Sequence, residues 1–252
     1  MLVLTGVGIF TLHSFVSTEF FELTLEDIIT IPTNCSRLLD DMFPPDFKIL
    51  PELFPAIMET LQMSLVGTAF GVLVSVPLGI LAARNLTPHP VYYYCSRLVI
   101  GVARSVPDLV WAIFFVIIIG LGPLAGALTL FVDTVGFAGR FFGEAMEEVE
   151  PGPTEALRAV GTGHSGLFFT AILPAALPSF INTSLYSLER AVQSSVVLGL
   201  VGAGGIGMML EGPITWHDYD QAATVVIVIF LLMLLVERVS SIHRSKIIRT
   251  GR

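Results

Sequence analysis

Glu155-Ala156-Leu157-Arg158-Ala159-Val160-Gly161, followed after nine residues by Ala171-Ile172-Leu173-Pro174, is a polar, glycine-broken stretch between long apolar runs. Glu155 to Val160 suit a short helix, with Thr154 as its expected N-cap. Gly161 ends that helix and permits a sharp bend into a second short helix. Leu173-Pro174 is expected to mark a kink where a membrane helix begins. The stretch therefore reads as a rigid lever attached to an apolar body.

Composition describes that body. The chain has 252 residues, 54% hydrophobic and 13% charged, with a mean hydropathy of +0.81. Soluble domains carry about 25% charged residues, so a membrane protein is the default class. The net charge of -8 argues against nucleic acid, which attracts basic surfaces. Cys35 and Cys95 fall on opposite sides of the membrane in the topology below, so no disulfide is expected. Two isolated thiols also do not make a Cys-x2-Cys metal site, and no metal is expected.

A hydrocarbon core needs roughly 20 apolar residues per helix. Residues 1 to about 18 carry no charge apart from a possible one on His13. They lack the basic start and small-residue cleavage site of a signal peptide. They read as a first membrane helix, whose natural start need not be Met1. Residues 19–50 are acidic and interrupted by Pro32, Pro44 and Pro45, a water-exposed excursion. Residues 1–50 are thus set apart from a core over 51–252, whose polar loop covers about 147–174. Thr60–Ala83 is charge-free and gives a second span. The run 109–132 is also charge-free, but Gly120-Leu121-Gly122-Pro123 in its middle marks a turn. A hairpin is therefore expected, with a third span over 91–119 and a fourth over 124–146. A fifth runs over 167–199, a glycine-rich re-entrant stretch over 200–222, and a sixth span over 221–239. The expected fold class is an all-α integral membrane protein with about six transmembrane helices.

With the amino terminus in the cytoplasm, nine Lys and Arg fall inside (84, 97, 140, 158, 238, 244, 246, 249, 252) against Arg37 and Lys48 outside. Cytoplasmic loops carry such an excess, and both termini are expected there. The 155–174 lever lands on the same side. Reading 109–132 as one span would move it outside.

The lever resembles the EAA loop of ABC-importer permeases, whose pattern reads E-A-A-x3-G-x9-I-x-L-P. Leu157 stands for the second Ala and Ala171 for the Ile. Arg104-Ser105-Val106-Pro107-Asp108-Leu109-Val110-Trp111-Ala112 resembles a segment of phosphonate-import permeases, the PhnE family. So do Phe43-Pro44-Pro45-Asp46, Glu147–Pro153 and Val197–Gly207, which makes the similarity run over about 43–210. After Glu189 the chain departs from that pattern, with Ala191 and Gln193 where Asn and Arg are usual. The resemblance implies a MetI-like permease fold, shared more broadly with methionine-type importers. It implies a homodimer in the cytoplasmic (inner) membrane, two separate ABC ATPase subunits and an extracytoplasmic binding protein. The ATPase-coupling residues would be Glu155, Ala156, Leu157, Arg158, Gly161, Leu173 and Pro174. No G-x4-G-K-[ST] occurs, so ATP and Mg would belong to the partner and this chain would have no catalytic residue.

Arginine at a helix centre costs about 2.5–3.5 kcal/mol on insertion scales, which gives Arg104 and Arg190 weight. Either they are neutralised, Arg104 by Asp108 at i,i+4 and Arg190 with Glu189 nearby or across a helix interface, or they line a path for an oxyanion. Ser105 and the trio Gln193, Ser194 and Ser195 join them as candidate pathway residues. Such a site has to bind weakly, because tight binding stalls passage. Gly202-x-Gly204-x-x-Gly207 spells a dinucleotide fingerprint, but it follows a membrane helix and not a strand. With Gly205 it reads better as a flexible, gating segment buried at membrane depth. Gly163-His164-Ser165-Gly166 mimics a serine-protease motif without a base in reach. The acids 144, 147, 148, 150 and 155 form either a solvated face or a docking surface for a basic ATPase. An ion-coupled secondary transporter is the competing class, kept open by Asp108, Asp133 and Glu189.

Overall fold

Backbone polar groups in hydrocarbon have to be satisfied within the chain, so charge-free runs of this length become helices. The computed structural model describes residues 5, 6, 8 and 25–250, and all regular structure among them is helical. Residues 1–45 and 46–252 are two compact units. The first contains α1, Leu25–Asp41, an amphipathic helix with Pro32 inside it. The expected first span lies outside the described residues apart from positions 5, 6 and 8.

The second unit opens with a single 3-10 turn, Phe47–Ile49, capped by the Asp46 carboxylate, which accepts from the Lys48 N–H. It runs into α2, Leu50–Ala82, which starts earlier than its charge-free stretch because Pro51 is already suited to a first helical turn. Next come α3, Pro90–Ser105, and α4, Asp108–Ile119. The expected single third span is therefore broken: the two helices meet at 90°. Pro107 disfavours helical backbone at Val106 and has no N–H to offer the preceding turn. Gly120 and Gly122, with φ of 105° and 132°, form the expected hairpin into α5, Pro123–Glu147.

After α5 come α6, Pro151–Ala159, and α7, His164–Leu167. A π-helical turn, Phe168–Ile172, joins α7 to α8, Leu173–Gly199. The glycine segment, α9 (Met208–Trp216) and α10 (Tyr219–Thr250) complete the chain. Four helical stretches are long and apolar enough to cross a membrane: Phe47–Ala82, Pro123–Glu147, Ser165–Gly199 and Tyr219–Ile242. The bent α3–α4 pair gives a fifth where the two helices are taken as one broken span.

The axis of this unit is α5, which packs against α2, α3, α4 and α8. Its closest neighbour is α2, through Gly67, Gly71, Ser75 and Gly79, spaced so that they share one face. A Cβ on Gly67 would stand 2.6 Å from the Ala127 carbonyl oxygen, and one on Gly79 2.9 Å from Phe142 Cβ. Small residues here let two backbones touch, the usual basis of helix association in lipid. Where α5 ends, Phe142 stacks on Phe180 at 4.3 Å. They belong to a buried cluster with Ala83, Met146, Leu167 and Ile172.

Candidate functional site

The 147–174 segment is built on the end of that cluster. Pro151 starts α6 because it lacks an N–H that a first-turn residue would leave unpaired anyway. Thr154 is therefore not the N-cap: Glu150 holds that position, and the Thr154 hydroxyl donates to the Pro151 carbonyl within the first turn. At the other end Gly161 N–H donates to the Arg158 carbonyl and Thr162 N–H to the Leu157 carbonyl. With Gly161 at φ 81°, this is a Schellman stop, which requires a left-handed residue at that position. Glu155, Ala156 and Arg158 are exposed. Leu157 packs against the Phe142–Phe180 cluster. The departure from the EAA pattern at 157 thus supplies the apolar peg that seats the lever.

The expected kink at Leu173-Pro174 takes another form. The Leu173 N–H reaches back five residues to the Phe168 carbonyl, a π-type bond. Pro174 has no N–H to close an ordinary turn, and its ring would crowd the Thr170 carbonyl. The widened turn absorbs this, so α7 and α8 run on as one stretch from Ser165 to Gly199.

The last turn of α5 is tied down by Glu147. Its carboxylate accepts from the Arg84 backbone N–H at 2.8 Å and from Arg97 at 3.1 and 3.3 Å. Arg97 lies 4.6 Å over the Tyr93 ring. Arg84 donates to the Tyr93 hydroxyl, a contact that raises the guanidinium pKa above its ordinary value. One turn earlier Arg140 pairs with Glu144 at 2.6 Å. Of the acidic cluster, Glu148, Glu150 and Glu155 are exposed.

The charges within the bundle pair differently from expectation. Arg190 is bound by Asp133 at 3.2 Å and lies 4.5 Å over the Phe137 ring, and does not pair with Glu189. Glu189 takes Arg244 at 2.9 Å. Successive residues point in different directions on a helix, so the two neighbours find partners on α5 and α10. Arg104 does not reach Asp108 either. The 90° corner separates them, and Asp108 accepts from the Leu109 N–H. Ser105 Oγ donates to the Gly101 carbonyl, and the Trp111 indole N–H straps the corner to the Ala103 carbonyl. Gln193 is exposed and Ser194 half-buried, whereas Ser195 is fully buried and donates to the Val192 carbonyl.

A cavity of about 440 Å³ opens between α3 and α5, lined in part by Arg97, Arg104, Ser105, Arg140 and Glu144. Arg97 and Arg140 were legible in the sequence only as topology-setting charges near helix ends.

Residues 203–207 are all buried. Gly205 N–H donates to Glu59 Oε1 at 2.8 Å and Ile206 N–H to Thr60 Oγ1 at 2.7 Å. Gly122 N–H donates to the Gly202 carbonyl. A Cβ on Gly204 would stand 2.8 Å from Pro123. The segment is therefore a packed plug pinned to α2 and to the 120–122 hairpin. Glu59 and Thr60 escaped the sequence reading because they stand where the charge-free run begins and looked like a span boundary.

Residues 75–249 match the family described as binding-protein-dependent transport system inner membrane component. The chain is 43% identical over 208 residues to the phosphate-import permease protein PhnE of Mycolicibacterium smegmatis. That match covers 82% of this chain and 39% of the relative, so the chain spans well under half of that protein's length. It is 38% identical over 212 residues to the phosphite transport system permease protein PtxC of Stutzerimonas stutzeri, covering 84% of this chain and 77% of that one. Among solved structures, an inward-facing conformation of the MetNI methionine ABC transporter superposes with a TM-score of 0.69 at 27% identity. The superposition covers 82% of this chain and 99% of that one.

Proposed function

Because the chain belongs to the binding-protein-dependent transport system inner membrane components, we propose that it is the permease subunit of an ATP-driven importer for a phosphorus oxyanion. Phosphonate, phosphate and phosphite are the substrates in view. The observation that carries this reading is the lever: an exposed helix, α6, stopped by a left-handed glycine and seated on the core by Leu157. At its tip Val160 is 80% exposed, an apolar side chain suited to cover by a partner.

The partner is a pair of ABC ATPases, one on each copy of the lever in a homodimer with a two-fold axis. ATP and Mg act there, and this chain performs no covalent chemistry. ATP binding favours the state it binds better, and the lever transmits the shift. A binding protein delivers the anion on the far side. Both termini and the lever face the cytoplasm, and residues 51–252 form the permease core. The pathway runs past Arg104, Ser105 and Asp108 on one side and Gln193 and Ser194 on the other. Against ion-coupled secondary transport, Asp133 and Glu189 are both engaged by arginines.

The test is uptake of labelled phosphate, phosphite, methylphosphonate and methionine by cells with and without this chain. Loss of oxyanion uptake alone is expected on deletion. Loss of methionine uptake alone would replace the substrate, and uptake insensitive to ATP depletion would replace the class. The Leu157→Asp variant is expected to lower oxyanion uptake roughly tenfold or more while the chain still inserts, since a charge cannot sit against the apolar cluster.

A further inference from the structure

We propose that the recess between α3 and α5 is a transient binding site for a tetrahedral phosphorus oxyanion, in which Arg104 is the binding cation and Glu144 and Glu147 are built-in counter-charges that keep affinity low. This rests on the permease reading above and gives it a site.

Three guanidinium groups line one cavity: Arg97, Arg104 and Arg140. Two are engaged, Arg97 by Glu147 and Arg140 by Glu144. Among the described residues Arg104 has no side-chain hydrogen bond or ion pair. Three positive and two negative groups leave one net positive charge at the recess. At about 440 Å³ it has room for a small anion with several waters, each of which takes roughly 30 Å³.

The backbone that carries Arg104 is held in place. A Cβ on Gly136 would stand 2.9 Å from the Arg104 backbone nitrogen, so the end of α3 is pressed directly on α5. The Trp111 strap to Ala103 fixes the corner from the other side. The fork of an Arg matches two phosphoryl oxygens, which a Lys ammonium does not. Ser105 Oγ spends its proton on the Gly101 carbonyl, so toward the recess it offers an acceptor, suited to a protonated oxyanion.

The counter-charges make the site adjustable. Glu144 and Glu147 lie at the end of α5 from which the chain passes to α6. A shift of that end relative to α3 alters how Arg97 is neutralised, and with it the attraction for the anion. Weak binding of this kind suits a passage.

The test uses the full-length chain in phosphatidylcholine nanodiscs and equilibrium binding of labelled inorganic phosphate. Arg104→Gln is expected to weaken binding about tenfold or more, the loss of a charge-assisted hydrogen bond. Arg104→Lys is expected to recover only part of it. Glu144→Gln is expected to tighten binding several-fold, because it releases Arg140. That opposite sign is not produced by a merely damaged fold. Equal binding by wild type and Arg104→Gln, or weaker binding by Glu144→Gln, overturns the site. Adding phosphatidylglycerol to the nanodiscs separates the two sources of the same chemistry. Unchanged phosphate binding supports the solute, and its abolition assigns the recess to a lipid headgroup. If cells need this chain for oxyanion uptake and Arg104→Gln supports it fully, the site fails while the permease reading stands. If wild type neither binds phosphate nor supports oxyanion uptake, the permease reading for oxyanions fails first.

Discussion

Gly161 carries the bend of the lever on a backbone angle that few residues accept. Its φ is 81°, and proline is locked near -65°. Gly161→Pro is expected to abolish uptake while the chain inserts normally, as measured by transport and membrane fractionation. Wild-type uptake in that variant would remove the lever from the mechanism. Among the charges, Asp133 and Arg190 pair within the bundle at 3.2 Å, and removing one partner leaves the other charge uncompensated. Asp133→Asn is expected to destabilise the protein by about 1–3 kcal/mol, and a double-mutant cycle with Arg190→Ala should show coupling between the two positions. An unshifted thermal midpoint in detergent would deny the pair a structural role. The sequence exposed which charges mattered and not whom they met. Arg104 and Asp108 have helical i,i+4 spacing, but Pro107 between them breaks the helix that the spacing assumes. Asp133 lies 57 positions from Arg190, a separation about which one-dimensional periodicity says nothing.

Helices announced themselves wherever charge was absent for long enough. The 124–146 and 167–199 spans came within a few residues of the observed α5 and of the Ser165–Gly199 stretch. The hairpin at 120–123 followed from two glycines and a proline. Four of the misread helix bounds involve proline: the corner at Pro107, the early start at Pro51, the first turn at Pro151 and the π turn before Pro174. A missing N–H can break, start or widen a helix, and which one wins depends on what packs nearby. The glycine face of α2 makes a sharper demand. A Cβ on Gly71 would stand 2.5 Å from Thr134 Cβ, so Gly71→Leu is expected to force α2 from α5 and prevent accumulation of folded protein. Detergent-solubilised yield and monodispersity measure this. Gly101, with open space around it, is the control position and should accept alanine without loss.

Taken together the described spans form one bundle whose lever and arginine recess share the end of α5. Topology is the property on which the functional reading is most exposed. A cysteine placed at Thr162 is expected to react with an impermeant thiol reagent only in inside-out vesicles, whereas Cys35 should react from outside intact cells. Labelling of position 162 from outside would put the lever beyond reach of any ATPase. The distribution of Lys and Arg is what points to this orientation. Of the arginines lining the recess, Arg104 stood out in the sequence as a candidate pathway residue, whereas Arg97 and Arg140 look like ordinary boundary charges until the helices are folded together.

The central helix, α5, touches both faces of this arrangement. At one end Glu147 is knotted to Arg84 and Arg97, and at the other Pro123 abuts Gly204 and Gly126 abuts Ala203 of the pinned segment. A beam clamped at both tips cannot be tilted at one without disturbing the other. In the permease proposed above, closing one mouth and loosening the opposite one would be two views of a single rocking motion, and stiffness alone would disfavour leakage through both at once.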